Sequence, residues 1–303
     1  MNTLKKEILE LKERKKAIIL AHNYQRPEVQ DIADFIGDSI ELCRMAQKTD
    51  ARIIVFCGVD FMAQSALILN PNKEVLIPSL GARCPMAQML PLDYFKLWKQ
   101  RYPDIPSVLY VNTLGEAKAE CDICCTSANA VELISRLKED TILFGPDRHL
   151  SDYVAKKTKK QIISVPPQGF CPVHVLFNVG DLIKLKNTHK DALLIVHPEC
   201  PMDIIELADY VGSTSQMCKF AKESLGKKFI VATEIGLIHR LKKENPDKTF
   251  IPAYEEAICT AMRANTLKDV YLSLKEECYK VDLPKDVIKS AQKSLEKMVE
   301  VLK

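Results

Sequence analysis

Along this chain, apolar runs alternate with stretches in which apolar and polar residues mix at helical spacing. "AIILAHNY" (17–24), "SVLYVN" (107–112) and "ALLIVHPE" (192–199) are apolar runs that end in polar side chains. Continuous runs such as "RIIVF" suit parallel strands buried on both faces. Between them, segments such as "NAVELISRLKED" carry the helical pattern of a βαβ crossover.

The pattern repeats. His22, Tyr110 and His197 are separated by 88 and 87 residues, and Tyr24, Asn112 and Glu199 by the same steps. "DFIGDS", "DICCTS" and "DYVGST" set Asp34, Asp122 and Asp209 at 88 and 87, with Ser39, Ser127 and Thr214 in step. Asp60, Asp147 and Glu234 follow at 87 and 87, then Pro78, Pro166 and Pro252 at 88 and 86. The Cys-Pro turns "GARCPM" and "QGFCPV" place Cys84 and Cys171 87 residues apart, and Cys259 stands 88 further on. Strands alone recur in any α/β chain. Matching polar rows in one order indicate a triplicated unit.

Each unit reads strand, short helix, short strand, helix, strand, helix, strand. This predicts an α/β fold of three similar three-layer αβα domains, each with about four parallel strands, around a pseudo-threefold axis. The expected units are 1–84, 85–171 and 172–259, with C-terminal helices in 260–303 joining the first. At the start, Leu4, Ile8 and Leu11 mark an amphipathic helix rather than a secretion signal. Pro284 opens a run with Val287, Ile288, Ala291, Leu295, Met298 and Leu302 at helical spacing, expected to pack back on the first unit.

Totals narrow the function. The 303 residues carry 43 basic and 40 acidic side chains, a net charge of +3, which argues for neither a nucleic-acid nor a membrane partner. No apolar run reaches the ~18 residues of a spanning helix, and a cytoplasmic location is expected. Eleven cysteines without a secretion signal suggest buried thiols and a metal site rather than disulfides.

Ligands in open α/β sheets bind beyond the carboxyl ends of the strands. Three units around one axis would bring each polar row there as a triangle. Cys84, Cys171 and Cys259 suit an iron–sulfur cluster or zinc, with one metal corner left open. Ser39, Ser127 and Thr214 lie at helix starts, whose converging N-termini suit a small anionic substrate. His22, Tyr110, His197 and Tyr24, Asn112, Glu199 supply acids, bases and donors. The knuckle-like Cys121, Cys124 and Cys125 are decoys: Cys124 and Cys125 align with Ile36 and Gly37 on a buried strand. Cys200 aligns with Gln25 and Thr113, outside the metal set. Asp60, Asp147 and Glu234 are read as helix caps or braces between units.

The motifs "AHNYQ", "GDS", "VDFMA", "YVNT", "CTSANA", "HPEC", "GSTS", "ATEIGLIHR" and "CTAMRANTL", in this order, resemble the quinolinate synthase family of NAD biosynthesis across essentially the whole chain. The resemblance implies a 4Fe–4S cluster on Cys84, Cys171 and Cys259 with the fourth iron free. It also implies condensation of iminoaspartate with dihydroxyacetone phosphate to quinolinate, phosphate and water. An iminoaspartate-supplying enzyme is a conceivable partner. Carried over by motif, the site residues are His22, Tyr24, Ser39, Met62, Tyr110, Asn112, Ser127, His174, His197, Glu199, Ser213, Thr214 and Met262. His174 enters only through the resemblance, because spacing gives it no counterpart. "CTAM" lacks the extra cysteine that some members carry near the third ligand, so no local disulfide switch is expected. A non-catalytic iron–sulfur redox sensor and a zinc-dependent lyase are the rival readings.

Overall fold

A computed structural model describes residues 2–302. Three parallel four-stranded sheets form the frame. The first contains β1 (Ala17–His22), β2 (Phe35–Gly37), β3 (Ile53–Cys57) and β4 (Glu74–Leu76), in the order β2-β1-β3-β4. The second repeats that order with β5 (Ser107–Tyr110), β6 (Ile123–Cys125), β7 (Thr141–Gly145) and β8 (Gln161–Ser164), as β6-β5-β7-β8. The third does so with β9 (Leu193–Val196), β10 (Tyr210–Val211), β11 (Lys228–Ala232) and β12 (Thr249–Pro252), as β10-β9-β11-β12. Helices join consecutive strands within every unit, so the protein is α/β with three similar αβα layers. The unbroken apolar runs are explained by two-sided burial: all five residues of β3 are buried, and so are the last five of β1.

Each crossover is held by the same two polar devices. A carboxylate at the entry to the short second strand accepts from the backbone of the first: Ile19 N–H donates to Asp34, Ser107 N–H to Asp122 and Leu194 N–H to Asp209, at 2.8, 2.8 and 2.7 Å. At the other end of the crossover a lysine gathers orphan carbonyls of a helix C-terminus. Lys73 donates to Ala46 and Thr49, Lys160 to Leu137 and Glu139, and Lys248 to Ala221 and Ser224.

The C-terminal segment departs from expectation. The helix Leu267–Glu276 packs on the first unit, against the N-terminal helix Asn2–Arg14 and β3. Val281 N–H then donates to Val75 O on the edge of β4. The last helix, Lys285–Val301, instead lies chiefly on the second unit, along β6 and the helix Gly115–Glu120, and meets the first unit at the helix Asp60–Leu69. Ser294 Oγ donates to Lys118 O at 2.8 Å, and Arg136 donates to Val301 O at 3.0 Å. The reason is coverage. Ile8, Leu11, Val270 and Leu274 already bury the outer face of the first sheet with Ile19 and Val55. Leu295 and Met298 therefore bury themselves in the larger core that contains β5 and β6. Among the described residues no helix is long and apolar enough to cross a membrane.

Candidate active site

The strand sequence hands over to polar residues at the carboxyl ends of the first strand in each sheet. β1 ends on His22, with Tyr24 just beyond; β5 ends on Tyr110, with Asn112 beyond; His197 and Glu199 follow β9. All six line one cavity.

Glu199 is its centre, 3 % exposed. Tyr110 Oη donates to Glu199 Oε1 at 2.6 Å and Asn112 Nδ2 to the same oxygen at 3.3 Å. His174 Nδ1 stands 2.8 Å from Glu199 Oε2, off the line of a hydrogen bond, and is otherwise unpartnered. His174 and His197 stack with ring centroids 4.6 Å apart. His174 Nε2 and Tyr24 Oη both meet Thr233 Oγ1, at 2.8 and 2.5 Å.

The electrostatics follow from burial and these contacts. Burial pushes Glu199 upward, but His197, His174 and the Tyr110 hydroxyl outweigh it and hold the carboxyl well below its usual range. Burial lowers His22 and His197 to about 3 despite the pull of Glu199, so both imidazoles are neutral at ordinary pH. Burial first, then Glu199, drives Tyr24 and Tyr110 well above the usual tyrosine value, so both hydroxyls keep their protons.

Ser39, Ser127 and Thr214 also line the cavity, but they are not the helix caps. Asp38 caps the helix Ser39–Lys48 by accepting from Glu41 N–H at 3.1 Å, and Ser213 caps Thr214–Glu223 by accepting from Gln216 N–H. Ser39 and Thr214 are the first helical residues, and Ser127 precedes the helix Ala130–Arg136 by a turn. Their hydroxyls are thereby left to the cavity. Ser213, whose hydroxyl is spent on capping, is the one expected residue that does not line it. Among the described residues no lysine or arginine lines the wall, which leaves helix N-termini and hydroxyls to hold an anion. Arg240 acts from behind: it donates to Asn23 Oδ1, whose Nδ2 donates to Thr214 Oγ1, both at 2.8 Å. Met62 and Met262 supply apolar wall.

Cys84, Cys171 and Cys259 reach the same cavity from three separate loops. None is in a disulfide. Burial raises all three thiols, the Glu199 carboxylate adds to each, and Cys259 raises Cys84 and Cys171 further by like charge. Half-buried thiols that line one cavity in this way fit a cationic metal group that would take them as thiolates. Asn112 Oδ1 is buried without a hydrogen-bond partner, leaving a polar atom free for a bound species. Cys124 and Cys125 sit on β6 in the core and Cys200 is fully buried, all outside this ring.

Sequence reasoning missed Thr233, which joins Tyr24 to His174, and Asp38 and Glu234, which line the cavity. Glu234 had a signal in its repeat spacing; Thr233 and Asp38 had only their places inside the motifs "ATEIGLIHR" and "GDS".

Comparison with known proteins agrees with the motifs. The family model described as quinolinate synthetase A protein matches residues 6–300. The curated quinolinate synthase of Pyrococcus horikoshii is 52 % identical over 300 residues, covering 99 % of both chains. Those of Thermodesulfovibrio yellowstonii and Thermotoga maritima are each 48 % identical, over 302 and 296 residues, covering at least 98 % of each chain.

Proposed function

The chain belongs to the quinolinate synthetase A family, and from that premise we propose that it is a quinolinate synthase. It condenses iminoaspartate with dihydroxyacetone phosphate to quinolinate, with release of phosphate and water, in NAD biosynthesis. What carries this reading is the placement of one ionised, buried carboxylate, Glu199, among protonated tyrosines and neutral histidines in a cavity ringed by three free thiols. A redox sensor would need the thiols but not the acid–base set beside them.

Cys84, Cys171 and Cys259 would hold a 4Fe–4S cluster. Such a cluster supplies a Lewis-acidic iron with one corner open to a substrate oxygen or nitrogen. The chain's own groups do the rest. Both substrates are anions, and the Ser39, Ser127 and Thr214 hydroxyls with their helix starts hold carboxylate or phosphate oxygens. Met62 and Met262 exclude water from one side. Glu199, ionised at neutral pH, accepts protons during enolisation and ring closure. Tyr24, protonated, donates, and Thr233 keeps its hydroxyl aimed. His22 and His197 are uncharged hydrogen-bonding walls that do not compete with the thiols for positive charge.

The test is assay of anaerobically purified protein with both substrates, reading quinolinate. Tyr24→Phe is expected to lower turnover ~100-fold, as loss of a general acid does, with iron content per chain unchanged. Normal turnover by this variant would remove Tyr24 from the mechanism. A zinc-dependent lyase is the second reading, because ligand atoms of Cys171, His174 and Glu199 all lie within 4.8 Å of one another. Metal analysis of the same preparation separates them: iron with acid-labile sulfide supports the first, zinc the second.

A further inference from the structure

The second acidic row, Asp60, Asp147 and Glu234, takes no part in that chemistry, yet each member touches the loop that carries a cysteine. Cys84 N–H donates to Asp60 Oδ1 at 3.0 Å, Cys171 N–H to Asp147 Oδ2 at 3.1 Å, and Cys259 N–H to Glu234 Oε1 at 3.3 Å. The pairs are 24, 24 and 25 residues apart. Every acid is also committed elsewhere. Asp60 accepts from Phe61 N–H at 2.9 Å and from Gln88 Nε2 at 2.9 Å. Asp147 Oδ1 accepts from Leu150 N–H at 2.7 Å, and Glu234 Oε2 from Gly236 N–H at 2.6 Å. A second bond repeats beside the first: the carbonyl two residues before each cysteine accepts a backbone N–H. Asp60 donates to Ala82, Arg148 to Gly169 and Ile235 to Ala257, at 2.8, 2.9 and 3.0 Å. At the middle corner the approach is so close that a Cβ on Gly169 would lie 1.8 Å from Pro146 O.

We infer that Asp60, Asp147 and Glu234 are positioning residues for the three cysteine ligands, each bolting a ligand loop to the turn that follows the third strand of its sheet. The inference rests on the cluster reading proposed above. The residue type follows from the geometry. At Asp147 and Glu234 the two backbone N–H groups sit on opposite oxygens, while at Asp60 Oδ1 takes both and Oδ2 takes Gln88 Nε2; in each case both ends of the side chain accept, which a carboxylate can do and an amide or hydroxyl cannot. Loops are otherwise the mobile part of a fold, and a ligand's outer partners set how firmly it holds metal. The Asp34, Asp122, Asp209 row makes the same carboxylate-to-N–H bond outside the cavity that Cys84, Cys171 and Cys259 line. It supplies the matched control.

The experiment compares anaerobically purified protein with Asp147→Asn, Glu234→Gln, Asp60→Asn and the control Asp122→Asn. Two quantities are read: the rate of iron release to a strong chelator, followed by loss of charge-transfer absorbance, and the melting temperature of the metal-free chain. The three ligand-loop variants are expected to release iron at least tenfold faster than the parent protein. Their reduced clusters should give altered paramagnetic spectra, and Asp122→Asn should stay within twofold. Asp60, whose side chain is the most exposed of the three at 19 %, yields the variant whose folding is least at risk. If the folded variants release iron at the parent rate, the inference is overturned. If the parent protein itself holds no iron, the cluster reading fails instead. If release quickens equally in Asp122→Asn, the row is merely structural and the inference fails.

Discussion

Glu199 is ionised in a buried place because His197, His174 and the Tyr110 hydroxyl offset the cost of its burial. His22 and His197 face it uncharged, held at about 3 chiefly by burial. That has a measurable consequence for the metal-free chain. In the unfolded state a histidine takes a proton near its ordinary 6.5, whereas these two do not until about 3 in the fold. The native state therefore binds fewer protons in that interval. Stability present above pH 6.5 is lost as pH falls toward 3, by about 1.4 kcal/mol per pH unit for each histidine. The melting temperature should decline through this window, and His22→Asn should decline less steeply. An unchanged slope would show that His22 is protonated in the fold. At this scale the sequence was legible wherever residue type and repeat spacing coincided, as for Tyr24, Tyr110 and Glu199. Thr233 was not legible by residue type and spacing, because its importance lies in two partners distant in sequence, Tyr24 of the first unit and His174 of its own.

Elements of the three units end alike. Lys73, Lys160 and Lys248 each donate to carbonyls at a helix C-terminus, where the helix dipole also favours a cation. They keep the repeat spacing of 87 and 88 residues, so the row was present in the sequence. A lysine reads there as a solvated surface residue, since its stem and charge suit either place. Lys160→Met, which keeps the stem and removes the donor, should cost about 1–3 kcal/mol, the worth of a charged hydrogen bond with its orphaned carbonyls. Urea unfolding with an unchanged m-value would read this directly. The helix starts also taught a limit. Asp38 and Ser213 do the capping one residue before the row that spacing picked out. A cap and its neighbour are both short polar residues, and only backbone angles distinguish them.

On the scale of the whole molecule, three sheets of one strand order aim their carboxyl ends at one cavity, and the last helix ties the second unit to the first. Leu295 on that helix is 2 % exposed within the main core. Leu295→Ala should therefore cost about 2–5 kcal/mol, seen as a lower denaturant midpoint. A loss below 1 kcal/mol would mean that the helix is peripheral to stability.

The sequence by itself determined the triplicated unit, the strands with their polar ends, and the three cysteines that share a register. All of these are local patterns or periodic ones, and neither kind needs a partner to be seen. Only the tertiary structure decided which groups surround Glu199, which oxygen of Asp147 grips Cys171, and where the final helix lies. Those outcomes turn on side-chain direction and on which apolar faces are already covered, quantities that exist only once the three units stand together.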